Sequence, residues 1–359
     1  MRIGLIVYGD LETITGGFLY DRMFVKYLRE QGDTVEVISV PWRPYGRSLI
    51  FNASFSFLSR LKNLSPELVL EDELIHPSFF MLNNRLHRTL PCPIIAVAHH
   101  LRCEEERPRW ENRFYRIIER RFFSSVDGLV CNSRNTAQTV IRLTGNRKPL
   151  VIAFPAGDRF TSTLTEKDLA LRATRPGPLE LLFLGALIPR KSLHTLISAL
   201  STIDTEIWHL TVAGSSIRDH GYTKAIRRKI YEAQLGDRIS ILGEVSDPDL
   251  EGLFKRSHLL VVPSSFEGFG IAYLEGMGFG LPAIASQAGG AAEIVTHGVN
   301  GYLVAPRDVN TLGSHIRELA ENRERLIEMS LAARRAFLKH PSWTHTGKVI
   351  YDFLHNFKA

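Results

Sequence analysis

The chain has few cysteines and no long apolar segment, and these absences exclude several classes of protein. Its 359 residues include three cysteines, Cys92, Cys103 and Cys131, which are widely spaced and form no C-x-x-C pair. Neither a disulfide framework nor a zinc site is supported by that pattern. No run of eighteen apolar residues occurs, and the apolar stretch after Met1 is too short for a signal peptide. We therefore expect a cytoplasmic protein.

Signatures of nucleic-acid binding and of dinucleotide binding are also missing. The sequence contains no helix-turn-helix, zinc-finger or RNA-binding pattern and no G-x-G-x-x-G. The formal net charge is nevertheless +6, and residues 1–150 hold 21 lysines and arginines against 16 acidic residues. A basic surplus without such a motif fits phosphate-bearing substrates or an anionic membrane surface. We expect no nucleic-acid partner.

Alternating strand and helix patterns occur twice along the chain. The first set begins with the buried run 2–8, a helix opened by Gly16-Gly17 and stopped by Gly32, and a strand at 35–40. The same order restarts at 179–185 and continues into a helix with one apolar face, formed by Leu193, Leu196, Ile197 and Leu200. Further buried runs lie at 208–213, 239–242, 259–263, 282–286 and 301–304. The alternation predicts an α/β fold with two Rossmann-like halves and parallel sheets.

Between the two halves, residues 157–178 show no strong periodicity, so we predict the interdomain linker there. Ligands of open α/β sheets bind at the carboxyl ends of the strands. With two such sheets, we expect the active site in a cleft between the domains.

The most informative segment is Ser264–Glu275, where two glutamates eight residues apart, Glu267 and Glu275, flank a glycine-rich stretch. If a helix begins near Gly270, the nearby backbone N–H groups lack intrahelical partners, and the helix dipole adds about half a positive charge. That combination suits a diphosphate, which we expect at the backbone of Gly268, Phe269, Gly270 and Ile271. Glu275 would lie roughly 7 Å further along, within reach of a ribose, and Glu267 would face the linked sugar. The segment predicts a sugar-nucleotide site.

This segment and the residues after it resemble a known family. The E-x7-E pattern is followed by Leu281-Pro282, Gly289-Gly290, Glu293 and Asn300-Gly301-Tyr302-Leu303-Val304. In that order the elements resemble the retaining family-4 glycosyltransferases of the GT-B fold, also called glycosyltransferases group 1. The resemblance implies two Rossmann-like domains facing a central cleft: an acceptor-side domain at 1–160 and a donor domain at 161–340. It also implies that residues 341–359 return to the first domain through a last helix at Thr344–Phe357.

Two features of the first half are candidates for contacts with the donor. Gly16-Gly17 follow the first strand, where the family has a glycine loop facing the donor diphosphate; the alternative is a plain turn that needs positive φ. His99-His100 follow the strand-like run 93–98 and so lie at a strand's carboxyl end. Because family members often have a histidine there that contacts the donor sugar, we prefer His99, with His100 as the competitor.

Two cations follow the first strand of the second half. Family members commonly have Gly-Arg-x-x-x-x-Lys-Gly at this place, whereas this chain has Ala186 at the arginine position and Ser192 at the final glycine. Lys191 is retained, and Arg190 beside it is proposed as the substitute for the missing arginine. Fixed positive charge here would neutralise the departing diphosphate.

The run Asp247-Pro248-Asp249 has the spacing of the metal-binding D-x-D of another glycosyltransferase class. Here it leads into a helix, where Ser246 or Asp247 is a natural N-cap and Pro248 suits the first turn. We therefore predict no catalytic metal. In the family, the loop around residues 243–245, including Val245, contacts the nucleotide base, and Gly214 lies near the same pocket.

Two segments of the first half combine cations with apolar faces. In one, the apolar side of a helix is flanked by Arg109, Arg113, Arg116, Arg120 and Arg121; in the other, residues 49–61 lie among Arg47, Arg60 and Lys62. Helices of this kind are usually packed on one side and wet on the other, and some bind anionic lipids. We favour ordinary packing and keep a peripheral contact with the inner face of the membrane as the alternative.

These observations together predict a metal-independent hexosyltransferase that moves a sugar from a UDP- or GDP-sugar to a glycan, lipid-linked or small-molecule acceptor. The catalytic candidates are His99, Arg190, Lys191 and Glu267, and Glu275 is expected to bind the ribose. Retention is implied by the resemblance. We expect no cofactor besides the nucleotide-sugar co-substrate.

Two rival functions stay open. A sugar-nucleotide epimerase would share the architecture but needs acid/base groups at the sugar carbon, and the sequence shows no carboxylate cluster in the first domain. A non-catalytic nucleotide-binding subunit of a glycosyltransferase complex is suggested by Ala186 alone.

Overall fold

The computed structural model describes residues 1–145 and 148–357, which form two compact units. Unit 1 comprises Met1–Pro155 together with the segment from Pro341 onward, and unit 2 comprises Ala156–His340. Unit 1 is therefore discontinuous in sequence, whereas unit 2 is continuous.

Each unit is built on a six-stranded parallel sheet. The strands of unit 1 are β1 (Arg2–Tyr8), β2 (Thr34–Val40), β3 (Leu68–Asp72), β4 (Ile94–Ala98), β5 (Gly128–Cys131) and β6 (Leu150–Ile152). Those of unit 2 are β7 (Leu179–Leu184), β8 (Trp208–Ala213), β9 (Ile239–Gly243), β10 (Leu259–Val262), β11 (Ala283–Ser286) and β12 (Gly301–Val304). Most are buried on both faces, as in sheets covered by helices, so the apolar runs are continuous rather than alternating. The α/β class predicted from the sequence is confirmed.

The helices follow the strands in the expected alternation. In unit 1 they are α1 (Gly16–Glu30), α2 (Tyr45–Ser48), α3 (Phe55–Leu64), α4 (His76–Phe79), α5 (Asn83–Thr89), α6 (Arg109–Ser125) and α7 (Arg134–Thr144). In unit 2 they are α8 (Glu166–Ala173), α9 (Leu193–Leu200), α10 (His220–Glu232), α11 (Asp247–Arg256), α12 (Ile271–Gly278), α13 (Val309–Glu321) and α14 (Arg323–Lys339). The last helix, α15 (Trp343–His355), belongs to unit 1.

Helix α15 packs on α1. The rings of Tyr27 and Tyr351 lie 6.4 Å apart in an edge-on contact. The backbone of Gly347 lies so close to Tyr27 that a Cβ at residue 347 would overlap that side chain. The helix expected at Thr344–Phe357 is therefore present, one residue earlier at its start.

The stretch predicted to be the interdomain linker, residues 157–178, contains helix α8 and belongs to unit 2. Thr165 caps this helix, and the carboxylate of Asp168 accepts a hydrogen bond from the Thr165 N–H at 2.8 Å. The two hydrogen bonds together form a capping box. From α8 the buried Arg172 donates to the carbonyls of Phe279 and Gly280, both at 2.9 Å. The linker prediction was wrong because one short amphipathic helix of eight residues gives too few turns for a visible period.

The strand order places a topological switch point in each sheet. The first sheet has the order β2-β1-β3-β4-β5-β6, and the second has β12-β11-β10-β7-β8-β9. In each sheet, successive strands are added first on one side of the unit's first strand and later on its other side. The switch point therefore lies between β1 and β3 in unit 1 and between β7 and β10 in unit 2. Loops at the carboxyl ends diverge there and leave a crevice.

Within the described residues, no helix is both long enough and apolar enough to cross a lipid bilayer.

Candidate functional site

The switch point of unit 2 contains a buried ion pair between Lys191 and Glu267. The ammonium of Lys191 lies 2.7 Å from Oε2 of Glu267, and Ser264 donates to the same oxygen at 3.0 Å. Lys191 ends the loop after β7, while Glu267 lies in the loop after β10. The two neighbouring strands therefore bring together residues that are 76 positions apart.

Opposite charges keep Glu267 ionised in spite of its burial. Burial would raise its pKa, but Lys191 and Arg190 outweigh that effect and lower the pKa to about 2. Burial lowers the pKa of Lys191, and Glu267 opposes that shift. Because the pKa of the carboxyl is depressed, this pair stabilises the fold above about pH 4.5 and loses its effect as the pH falls toward 2.

Arg190 contacts the same loop in a different way. Its Nη1 donates to the carbonyl of Phe266 at 3.0 Å and lies 3.9 Å from Glu267. The sequence analysis assigned Lys191 and Arg190 to the diphosphate and Glu267 to the linked sugar. The structure brings all three together, so the acidic and basic groups form one cluster.

The glycine-rich stretch starts helix α12 where the sequence predicted a helix start. The N-cap is Gly270, at φ 104°, and it offers no side chain to the first-turn N–H groups. Gly268 and Phe269 precede this cap, and Ile271 is the first helical residue. Glu275, in the fifth helical position, is buried.

Two glycines further along the sequence contact the backbone of the loop that contains Glu267. Gly289 forms a bridge with Glu267, and Gly290 donates to the Glu267 carbonyl at 2.8 Å. A Cβ at residue 289 would overlap the carbonyl oxygen of Glu267, so the two backbones meet in a way that only glycine permits. The Gly289-Gly290 pair thus positions the backbone that carries Glu267.

The second glutamate is paired with an arginine that the sequence did not single out. Nε of Arg159 donates to Oε1 of Glu275 at 2.8 Å, and Nη1 of the same arginine reaches Asp247 at 2.6 Å. The sequence assigned Glu275 to a ribose and residues 157–178 to a linker. In the structure Arg159 belongs to unit 2 and already engages one oxygen of Glu275.

The carboxyl ends of strands β7, β8 and β9 contact one another through glycines. Gly214 follows β8, donates to the carbonyl of Gly243 at 2.7 Å, and lies directly against the backbone of Gly185. Val245 comes two residues after β9 and is half-buried. Gly214 and Val245, both predicted to bind the donor, therefore lie at the carboxyl edge of the second sheet.

The Asp247-Pro248-Asp249 run begins helix α11, as predicted. Ser246 is the N-cap and accepts from the Asp249 N–H, and Pro248 lies in the first turn. The carboxylate of Asp249 accepts from the Ser246 hydroxyl at 2.5 Å, while that of Asp247 faces Arg159. The two aspartates thus have separate partners.

The switch point of unit 1 holds His99 among buried carboxylates. Nε2 of His99 lies 3.1 Å from Oδ1 of Asp21 and 3.6 Å from Oδ2 of Asp72. The His99 N–H donates to Glu73 at 2.6 Å. Asp21 comes from α1, whereas Asp72 and Glu73 end β3 and begin the segment after it. The ligand atoms of Asp21, Asp72 and His99 all lie within 4.8 Å of one another, a spacing that a metal ion also accepts.

This cluster favours a protonated imidazole. Burial alone would lower the pKa of His99, but Glu73 and Asp21 raise it well above the ordinary value. Burial raises the pKa of Asp21 to about 7, against the opposing effect of His99. Among the described residues no hydrogen-bond partner of His99 Nδ1 is found, so the carboxylates fix the ring through Nε2.

This arrangement corrects the sequence analysis, which found no cluster of carboxylates in the first domain. Periodicity could not reveal it, because Asp21 lies within an amphipathic helix and its partners come from distant strand ends. Asp21 and Asp72 are completely buried. They are thus placed to act on His99 and are shielded from a substrate, so the cluster does not strengthen the epimerase alternative.

Gly16-Gly17 form the first turn of α1, where Thr15 is the N-cap and accepts from the Phe18 N–H at 3.0 Å. Neither glycine has positive φ, so the alternative explanation as a positive-φ turn was wrong. A Cβ at Gly17 would lie 3.4 Å from the ring of His99. The structure therefore brings Gly17 and His99 together. In contrast, Nε2 of His100 lies 2.8 Å from Oε1 of Glu105.

Two protein-family models match this chain, one in each half. The model of glycosyl transferases group 1 matches residues 166–336, and that of glycosyltransferase family 4 matches residues 20–155. The chain belongs to the group 1, family 4 glycosyltransferases. The resemblance stated from the E-x7-E segment and its flanking residues is thereby confirmed at the level of the family.

Individual relatives align over part of the chain. An uncharacterized glycosyltransferase of Methanocaldococcus jannaschii is 36% identical over 143 residues, 40% of this chain and 38% of the relative. A GDP-mannose-dependent phosphatidylinositol monomannoside mannosyltransferase of Mycobacterium tuberculosis is 28% identical over 180 residues, 48% of this chain and 46% of the relative. The alignments thus span less than half of these curated relatives.

Solved structures match over nearly the whole chain. Sucrose-phosphate synthase from Thermosynechococcus elongatus superposes with a TM-score of 0.84 at 19% identity, covering 99% of this chain and 98% of that one. HepE of Anabaena in complex with UDP-glucose gives 0.79 at 18% identity, covering 99% and 100%. At such identities the likeness establishes the fold, and the predicted GT-B architecture is confirmed.

Helix α6, one of the two basic amphipathic segments of this family member, is packed on one side. Ile118 and Phe122 are buried, as expected for the apolar face. Trp110, Phe114 and Ile117 are 73%, 42% and 48% exposed and form a second, uncovered apolar stripe. The spacing i, i+4, i+7 places these three on one side of the helix.

Proposed function

We propose that the protein transfers a sugar from a nucleoside diphosphate-sugar to an acceptor. The observation that carries this proposal is the buried Lys191–Glu267 pair at the switch point of unit 2, beside the start of α12. Family membership supports the reaction class. The UDP-glucose bound to HepE and the GDP-mannose dependence of the mycobacterial relative support UDP- and GDP-sugars as donors.

In the proposed mechanism, fixed positive charge stabilises the departing diphosphate. Lys191, Arg190 and the first-turn N–H groups of α12 supply that charge at the carboxyl edge of the sheet. Glu267 holds Lys191 and contributes to sugar placement, Glu275 accepts from ribose hydroxyls, and His99 keeps the sugar contact that the resemblance implies. Retention of configuration is part of the proposal on the same resemblance.

We further propose that the reaction needs no metal ion and no cofactor besides the co-substrate. The support for this is that Arg190 and Lys191 both lie beside Glu267 and supply two positive charges to the site that the proposal assigns to the diphosphate. The two aspartates of the Asp247-Pro248-Asp249 run have other partners, an arginine and a helix cap.

A thermal unfolding screen with UDP-, GDP- and ADP-sugars in the presence of EDTA tests this function. A donor at a hundred times its dissociation constant should add about 2.7 kcal/mol to the stability of the protein. We expect a clear rise of the unfolding temperature with a UDP- or GDP-sugar, unchanged by EDTA. If no sugar nucleotide shifts the transition, the proposed function fails; if EDTA abolishes the shift, only the metal-independent mechanism fails.

We also propose that unit 1 contacts an anionic membrane surface through α6. The exposed stripe of Trp110, Phe114 and Ile117 lies on a helix with five exposed arginines, at positions 109, 113, 116, 120 and 121. Apolar contact combined with positive charge is the chemistry of helices that lie in a lipid interface.

Cosedimentation with vesicles tests the contact. We expect binding to phosphatidylglycerol vesicles that weakens several-fold when Trp110 and Ile117 are both replaced by serine, and that weakens again in 0.5 M salt because charge is screened. Lys26→Ser and Lys224→Ser, exposed changes on α1 and α10, serve as controls. Equal binding to neutral phosphatidylcholine vesicles would contradict the charge-based part, and absence of binding would contradict the contact.

A further inference from the structure

Arg159 occupies the centre of a three-member network in unit 2. Its guanidinium bridges Oε1 of Glu275 at 2.8 Å and Oδ1 of Asp247 at 2.6 Å. The side chain of Glu275 is only 4% exposed, whereas that of Asp247 is 64% exposed. One arginine thus connects a buried carboxylate with the solvent-facing start of α11.

The position of this arginine is fixed by packing on both sides. The backbone of Gly157 lies against α12 so closely that a Cβ there would come within 2.6 Å of the Leu274 carbonyl carbon. The Arg159 guanidinium lies 4.3 Å above the ring of Phe160. That ring packs on Phe254 and Phe279, at 5.9 and 6.3 Å. The arginine is therefore held by the core of unit 2 and is not a mobile surface side chain.

The network leaves one oxygen of Glu275 for another partner. Among the residues that the structure describes, Oε1 alone accepts a hydrogen bond, and Oε2 has no such contact. Burial raises the pKa of Glu275, and Arg159 opposes that shift. Arg159 therefore both selects the orientation of the carboxylate and favours the ionised form, which accepts hydrogen bonds more strongly.

Asp247 extends the network toward the loop after β9. It is the first residue of α11 and follows directly on the Gly243–Ser246 turn that contains Val245. A single side chain consequently ties the expected ribose carboxylate to the loop expected near the base.

We propose that Arg159 is a positioning residue for the nucleoside part of the donor, orienting Glu275 so that its second oxygen accepts from the ribose hydroxyls. This role rests on the proposed function, because it requires a nucleoside diphosphate at α12. It assigns a donor-recognition function to the segment that the sequence presented as a linker.

Calorimetric titration of the full chain with UDP, GDP and their 2′,3′-dideoxy forms tests the role. For the nucleotide that binds, the unmodified protein should prefer the ribose form by about tenfold or more, since hydrogen bonds to a charged group are involved. Arg159→Gln should reduce this preference to below about threefold. Arg159→Lys, which retains the charge beside Glu275, should keep most of it.

Two further variants separate positioning from general damage. Asp247→Asn removes only the negative charge of the exposed partner, and we expect it to lower the ribose preference two- to threefold in a normally folded protein. Arg175→Gln changes an exposed arginine just after α8 and should leave the preference unaltered.

The outcomes distinguish this role from the function on which it rests. If folded Arg159→Gln keeps the ribose preference unchanged, the positioning role is overturned and the proposed function stays intact. If that variant does not fold, an unchanged preference in Asp247→Asn has the same meaning. Failure of the unmodified protein to bind either nucleotide would overturn the proposed function and the role with it.

Discussion

Replacing Glu267 by glutamine is expected to slow sugar transfer by about 10²–10³-fold. The change keeps the shape of the side chain but leaves the ammonium of Lys191 buried without its counter-ion, at 2.7 Å from a neutral group. Loss of one preorganised group that stabilises charge in a transition state typically costs about 10²–10³-fold in rate, or about 2.7–4 kcal/mol. Lys191 would lose its proton more readily and offer less charge to the departing diphosphate.

The measurement is the rate of nucleoside diphosphate release from the donor found in the thermal screen. Binding of the bare nucleoside diphosphate should weaken by a much smaller factor than transfer, because Glu275 rather than Glu267 is assigned to the ribose. Glu328→Gln is the matched control, since Glu328 forms a surface pair with Arg325 at 2.8 Å that contributes little. A variant at residue 267 that retains the unmodified rate would refute the assigned role.

The second large effect is expected from Gly289→Ala, which should destabilise unit 2 by about 2–6 kcal/mol. Gly289 has φ 95° and ψ −147°, a backbone conformation that is essentially restricted to glycine and that costs an alanine about 1–3 kcal/mol. Its Cβ would also overlap the carbonyl oxygen of Glu267, and relief of that overlap requires a backbone shift costing about 1–3 kcal/mol more. The shift would displace the loop that carries Glu267, so donor binding should weaken as well.

Gly298→Ala provides the comparison for this effect. Gly298 also has positive φ, 73°, but the nearest atom to its added Cβ is Arg325 Nη2 at 4.0 Å. Gly298→Ala should therefore lower the free energy of unfolding only by the cost of the positive φ, about 1–2 kcal/mol. Denaturant-dependent hydrogen exchange of peptides from β10 and β11 measures both variants. Similar losses in the two proteins would show that the contact between residues 289 and 267 carries no special weight.

Local patterns were sufficient to predict much of the fold. The apolar runs at 208–213 and 301–304 are strands with those same limits, and the helix start near Gly270 lies at Ile271. Strands β3, β5 and β6 were not predicted.

The site was harder to predict than the fold because its contacts join distant positions. Lys191 and Glu267 were both recognised, yet their pairing follows from the order β10-β7 in the sheet, which the residues alone do not reveal. Asp21 was missed because an acid inside an amphipathic helix normally faces water, whereas this one is completely buried beside His99. For Arg159 the available signal was the capping box at Thr165, which shows that the supposed linker is folded.

The discontinuity of unit 1 sets an order on its completion during synthesis. Residues 1–155 leave the ribosome without α15, the helix that brings Trp343 beside Tyr20 and Gly347 against Tyr27. All of unit 2 is translated before that helix. The face of α1 that carries Tyr20 and Tyr27 therefore stays uncovered by α15 while unit 2 is synthesised. Unit 1 begins first and is completed last.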